Sequence, residues 1–188
     1  AEERFYEATQ SFHWVGGLYD GQIKIPLRGG SSPGETESRE LDEALRHEMT
    51  HVGVKTLCPE CPNWLNEGLA QHFEAEVLRA RVFEDLRRHA SERIAFEDVP
   101  LRLWEVENEA LARQAYRQGL GFVELLVTRY HEFRLPLFLR AIHRLGSVRK
   151  GFEETYGMDL TRAQAALGEQ VLAPPGAVSS SSGDSRSP

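Results

Sequence analysis

The sequence predicts an α+β protein that is mostly helical. A small N-terminal antiparallel sheet would present an edge strand over the helix carrying His47-Glu48-Met49-Thr50-His51, with a C-terminal helical bundle after it. Three observations predict this. Apolar residues recur at helical spacing through most of 38–172, as in Leu41, Leu45, Met49 and Val52. One stretch, 16–27, alternates instead, around the hairpin signal Asp20-Gly21. The chain has 188 residues, enough for one domain with a real core.

Residues 1–15 fit either a helix or a lead-in strand, with Phe12, Trp14 and Tyr19 packing on the domain. In 16–27, Ile23, Ile25 and Leu27 alternate with polar residues, so one face is buried. Pro26 has no N–H to donate and confines the strand to a sheet edge. Such a hairpin either covers a helix or accepts an extended peptide as an extra strand. On the second reading Gly17, Leu18 and Tyr19 bind the substrate. Residues 28–37, rich in Gly, Ser and Pro, read as a solvated loop. Ser38 is the expected N-cap of the next helix. Glu40, Asp42 and Glu43 suit the positive end of its dipole, and it runs to about Lys55.

Cys58-Pro59-Glu60-Cys61-Pro62 could be half of a zinc site, a redox pair or two buried thiols. No second pair completes a structural zinc site, and no βαβ context supports a thioredoxin-like motif. The expectation is a small-loop disulfide in an exported chain and free thiols otherwise. Asn63 would cap a helix through Trp64, Leu65, Leu69, Phe73 and Val77. Gly68 is costly inside that helix, which points to a close approach of another helix or of substrate, or to packing alone. Residues 78–93 carry mixed charge and read as a continuation or as a second, solvated helix. Residues 94–104 read as a loop with apolar anchors, and 108–131 as a long helix. A helix over 135–145 follows the start signal Pro136, and two short helices over 151–156 and 161–172 meet at Gly157. Residues 1–172 form the single domain. The Pro-, Gly- and Ser-rich tail 173–188 is expected to be disordered.

Composition narrows the function. A net charge of −7 argues against a nucleic-acid partner, because phosphate binding wants a basic face. No apolar run is long enough to span a membrane. Neither G-x-S-x-G nor a P-loop pattern occurs. The excess of Arg over Lys fits a GC-rich bacterial genome. No signal peptide is visible, but the chain begins at Ala1 without Met, which suggests a processed piece and tilts the expected location toward exported or periplasmic.

The chemistry concentrates in H-E-x-x-H. Helical residues four apart share a face, their Cβ atoms about 5–6 Å apart. His47 and His51 can therefore reach one metal ion at about 2.0–2.1 Å. Glu48, one step round the helix, flanks the metal and can act as general base on a water bound there. A catalytic zinc site needs a third protein ligand and an open position. Glu67, in W-L-N-E-G-L-A, is the best candidate, brought back by a short loop between two helices. Gln71, one turn beyond Glu67, is a candidate outer partner of the ligands, and His72 reads as a packing or surface histidine.

A-L-R-H-E-M-T-H together with P-N-W-L-N-E-G-L-A-Q-H-F resembles the gluzincin zinc metallopeptidases. More narrowly, it is similar to the small bacterial peptidase MA-like domains, relatives of thermolysin and of the zinc aminopeptidases. The likeness covers about residues 16–172, with a sixteen-residue step from His51 to Glu67 that is shorter than in the aminopeptidases. The resemblance implies one zinc ion held by His47, His51 and Glu67, with Glu48 as base. It implies an edge strand that binds the substrate backbone. Tyr116-Arg117-Gln118-Gly119 stands where relatives carry a tyrosine followed by x-x-Gly, so Tyr116 would donate to the oxyanion; Tyr130 and His131 are its rivals. G-F-E-E-T-Y-G-M-D-L resembles the end of the MA-like domain, whose helices close the lower half of the cleft. The expected substrate is a peptide or protein. No acidic anchor for a free N-terminus stands beside Gly16-Gly17, with Asp20 and Glu7 weak stand-ins, which favours an endopeptidase. One alternative is a non-catalytic zinc domain whose groove binds a partner peptide, although a structural site has no use for Glu48. Another is a latent enzyme with residues 1–15 or the tail folded into its own cleft as an inhibitory segment.

Overall fold

The computed structural model describes residues 18–19, 23–24, 35–94 and 108–172. The α+β expectation is corrected, because the predicted N-terminal sheet is not formed among these residues and the architecture is helical. In its place are two-residue segments, β1 (Leu18–Tyr19) and β2 (Ile23–Lys24), paired antiparallel with Leu18 opposite Lys24 and Tyr19 opposite Ile23. Strands of globular sheets usually run about three to ten residues, and an isolated hairpin is marginal in water. Alternation over a few residues was therefore too weak a signal for a sheet. Gly17, the Asp20-Gly21 turn, Ile25, Pro26 and Leu27 lie outside the described residues, as do the predicted lead-in 1–15, most of the loop 94–104 and the tail 173–188.

Among the described residues seven α-helices follow: α1 (Glu35–Leu57), α2 (Asn63–Glu74), α3 (Glu76–Arg88), α4 (Glu109–Tyr130), α5 (Arg134–Leu145), α6 (Val148–Tyr156) and α7 (Leu160–Leu172). A 3-10 turn, Ala90–Glu92, ends the α3 segment. α2 lies between α1 and α4, α3 packs on α4 and α7, and α5 pairs with α6. The core forms where α4 meets α2, α5 and α6. Phe122 is fully buried, with Trp64 edge-on at 5.3 Å and Phe152 tilted at 5.9 Å; Phe138 packs edge-on against Phe152 at 5.4 Å. Each such ring contributes roughly 1.5–3 kcal/mol by leaving water.

α1 begins at Glu35, three residues before the predicted cap Ser38. The apolar stripe of this helix is only partly covered. Leu45 and Met49 are exposed, Met49 by 63 %, and the buried line on this helix runs through Glu48, Val54 and the following Cys58. The helix turns its chemistry inward and leaves part of its apolar stripe outside.

α2 stops at Glu74, short of the predicted Val77, because Ala75 is extended (φ −148°, ψ 137°). No Gly or Pro marks this break. It lets α3 swing so that Val82 and Leu86 bury against Gly121 of α4 and Leu167 of α7. Asn63 is the first residue of α2 and gives no side-chain cap; Pro62 holds the N-cap position. Elsewhere the side-chain caps are plain. Asn108 Oδ1 accepts from Leu111 N–H at 3.1 Å, and Asp159 Oδ1 from Thr161 N–H at 2.8 Å. Gly157, with φ 69°, closes α6 where the sequence placed the joint.

α2 and α4 touch backbone to backbone. A Cβ on Gly68 would sit 2.4 Å from the carbonyl of Gly119, and one on Gly119 would sit 2.2 Å from the carbonyl oxygen of Trp64. Only glycine at both positions lets the two helices come this close.

Candidate metal centre

α1 and α2 bring the four central residues of the motif reading together. His47 and His51 lie one turn apart on α1, with ring centroids 4.8 Å apart and planes nearly perpendicular. Glu67 comes from the first turns of α2 and is buried. Its Oε2 lies 3.6 Å from His47 Nε2 and 3.8 Å from His51 Nε2. Ligands about 2.0–2.2 Å from a tetrahedral zinc stand about 3.3–3.6 Å from one another. The observed spacings are within a few tenths of an ångström of that. Ligand atoms of His47, Glu48 and His51 also lie within 4.8 Å of one another. Two imidazoles and a carboxylate around one point, with a second carboxylate beside them, are a donor set that fits zinc.

The outer nitrogen of each imidazole is held. His47 Nδ1 is 2.8 Å from Glu74 Oε2, and His51 Nδ1 is 3.0 Å from Asn66 Oδ1. An Nδ1–H donating to these oxygens turns Nε2 toward Glu67, where a metal ion could displace its proton and take its lone pair. Sequence reasoning placed this outer role on Gln71, which makes no hydrogen bond to either histidine among the described residues. Glu74 lies two turns from Glu67 and was within reach of the same helical periodicity. Asn66 is its sequence neighbour. Only the crossing of α1 and α2 selects these two.

The electrostatics favour positive charge at this point. Burial works against a charged His47, but hydrogen bonds and charges from Glu67 and Glu74 outweigh it and raise its pKa to about 10. Burial raises the Glu48 pKa; His47 and His51 pull it down, and Glu67 and Glu74 push it up again. Glu48 is 3 % exposed, and its Oε2 is buried without a hydrogen-bond partner among the described residues. An unpartnered buried carboxylate oxygen is costly, and this one lies beside the histidine pair.

Tyr116, on α4 one turn before Gly119, faces the same site. Burial raises its phenol pKa, and the charges of Glu67 and then Glu48 raise it further, so it stays protonated and able to donate. Its rivals lie elsewhere. Tyr130 donates to Met158 Sδ at 3.3 Å and packs on Tyr156, while His131 ends α4 at φ 66° and stacks on Phe133. His72 is buried, paired through Nδ1 with Glu124 of α4, and its Nε2 faces Glu132 at 3.7 Å. It ties α2 to α4 and does not reach the histidine pair among the described contacts. Gly17 is outside the described residues, and Leu18 and Tyr19 belong to the short pairing with Lys24 and Ile23.

No helix among the described residues is long and apolar enough to cross a membrane. Compared with protein-family models, with curated proteins and with solved structures, the chain shows no match, so the gluzincin resemblance rests on the residues of this site alone.

Proposed function

We propose that the protein is a zinc-dependent peptidase that cleaves inside peptide chains. The observation that carries the reading is the convergence of His47 Nε2 and His51 Nε2 on one Glu67 oxygen, at 3.6 and 3.8 Å, beside the buried carboxyl of Glu48. His47, His51 and Glu67 would hold the ion, with Glu74 and Asn66 fixing the imidazoles. Zinc bound there would bring the pKa of a water toward neutrality and polarise the scissile carbonyl. Glu48 takes the proton of the attacking water and passes it to the leaving amine. Its depressed acidity suits that return step, because a carboxyl with a raised pKa holds the proton long enough to deliver it. Tyr116 donates a hydrogen bond to the developing oxyanion.

The test is cleavage of a diverse peptide library by zinc-loaded protein, read by mass spectrometry, with Glu48→Gln in parallel. Internal cuts should appear with the wild type and fall by about 10²–10⁴ in Glu48→Gln, the usual contribution of a general base. Equal cutting by both proteins would overturn the mechanism. Zinc bound by both with cuts from neither would move the reading to a peptide-binding or latent domain.

A further inference from the structure

Cys58 and Cys61 are free thiols in the turn that links α1 to α2. Cys58 N–H donates to Val54 O at 2.8 Å, and Cys61 N–H donates to Cys58 O at 3.0 Å. The four residues therefore form a reverse turn seated on the last turn of α1. The first and fourth Cα atoms of such a turn are within about 7 Å, and disulfides bridge Cα separations of about 4.4–6.8 Å. Cys58 is fully buried in the core, while Cys61 is half-buried and packs against it. Their mutual hydrogen bond lowers the pKa of Cys58 and raises that of Cys61. The turn is also the covalent link between the two helices that carry the candidate ligands: His51 lies two turns before Cys58, and Glu67 six residues after Cys61.

We propose that Cys58 and Cys61 form a reversible dithiol–disulfide site, oxidised by a small-molecule disulfide, which in its oxidised form firms the hold of Glu67 against His47 and His51. The coupling to Glu67 rests on the metal-site reading; the thiol chemistry does not. Cys61, the less buried of the two, first gives up its proton; its thiolate attacks one sulfur of the incoming disulfide and expels the other as a thiolate, giving a mixed disulfide, while the shared hydrogen bond favours the thiolate on Cys58 for the second, intramolecular step. Cys58, as a thiolate, then attacks the Cys61 sulfur and releases the second small thiol. Two protein thiols are oxidised to one disulfide, one small disulfide is reduced to two thiols, and the protons pass to them. In the reduced protein, backbone hydrogen bonds and packing hold the turn. Oxidation adds a covalent bond between the end of α1 and the start of α2.

The experiment titrates the full chain with glutathione and glutathione disulfide in varied ratio, reading thiol alkylation and intact mass. Melting temperature and zinc affinity are then measured on the reduced and oxidised forms. Both thiols should vanish together at one midpoint, with the loss of the mass of two hydrogens and no intermolecular dimer. The oxidised form should melt higher and bind zinc severalfold more tightly. Cys58→Ser should trap glutathione on Cys61, whereas Cys61→Ser, left with the buried sulfur, should trap none. Thiols that stay reduced at every ratio, or an adduct on Cys58 in place of Cys61, would overturn the site. A disulfide that leaves melting unchanged would overturn the firming of the turn. Melting is read without zinc, so a protein that binds no metal but still gains stability on oxidation would fault the metal reading and not the thiol chemistry.

Discussion

Glu74 holds the outer nitrogen of His47 at 2.8 Å and leaves the inner nitrogen to face Glu67. Removing such a partner typically weakens metal affinity by about 10–100-fold. Glu74→Ala should therefore lose zinc affinity by that factor in competition against a chromophoric chelator, with the fold kept. Unchanged affinity would show that the ring needs no outside hold. Tyr116 separates in the opposite way. Tyr116→Phe keeps the ring's packing and removes the donor, so kcat should fall by about 10²–10³ while zinc affinity stays the same. A variant of undiminished kcat would make Tyr116 a packing residue. That His47, Glu48, His51 and Glu67 lie together was legible in the sequence, because a four-residue helical step puts the histidines on one face and a short loop returns the next helix to them. Glu74 and Asn66 were not, because Gln71 sits on the same helical face as Glu74 and periodicity cannot choose between them. The choice belongs to the angle at which two helices cross.

Among the elements, α2 and α4 carry the tightest constraint. A methyl on Gly119 would meet the Trp64 carbonyl oxygen at 2.2 Å, a contact with backbone that no rotamer relieves. Gly119→Ala should destabilise the protein by about 1–3 kcal/mol or more, the cost of overpacking, and should lower its melting temperature by circular dichroism. A variant that melts like the wild type would mean that the helices part freely. Gly68 announced this contact in the sequence by its cost inside a helix, although the partner helix could not be named. The break at Ala75 gave no such signal, since it comes from the burial of Val82 and Leu86 on α4 and α7 and not from any residue that stops helices. The N-terminal sheet failed for the reverse reason: alternation and a turn signal were present, but among the described residues the pairing extends over two residues a side. Helix positions from 108 to 172 were readable within a few residues because each buries an apolar stripe of regular period.

At the scale of the whole molecule, the candidate ligands and their outer partners come from two consecutive helices and the candidate oxyanion donor from a third, with α5, α6 and α7 as a buttress behind them. A ligand that binds only the folded chain stabilises it by mass action. Zinc at a hundredfold excess over its dissociation constant should add about 2.7 kcal/mol. For a domain of this size that raises the melting temperature by roughly 5–11 °C. The rise should vanish with a chelator and in Glu67→Ala, and a wild-type melt indifferent to zinc would remove the ion from the native state. The glycine contact has a consequence for how this site can vary. Glu67 adjoins Gly68, and Tyr116 stands one turn before Gly119, so the interval between acid and phenol is gauged by two main chains in contact and not by compressible side chains. Core residues can be exchanged around that gauge without resetting it. A change at either glycine alters it abruptly, so the span between acid and phenol is inherited as a fixed length.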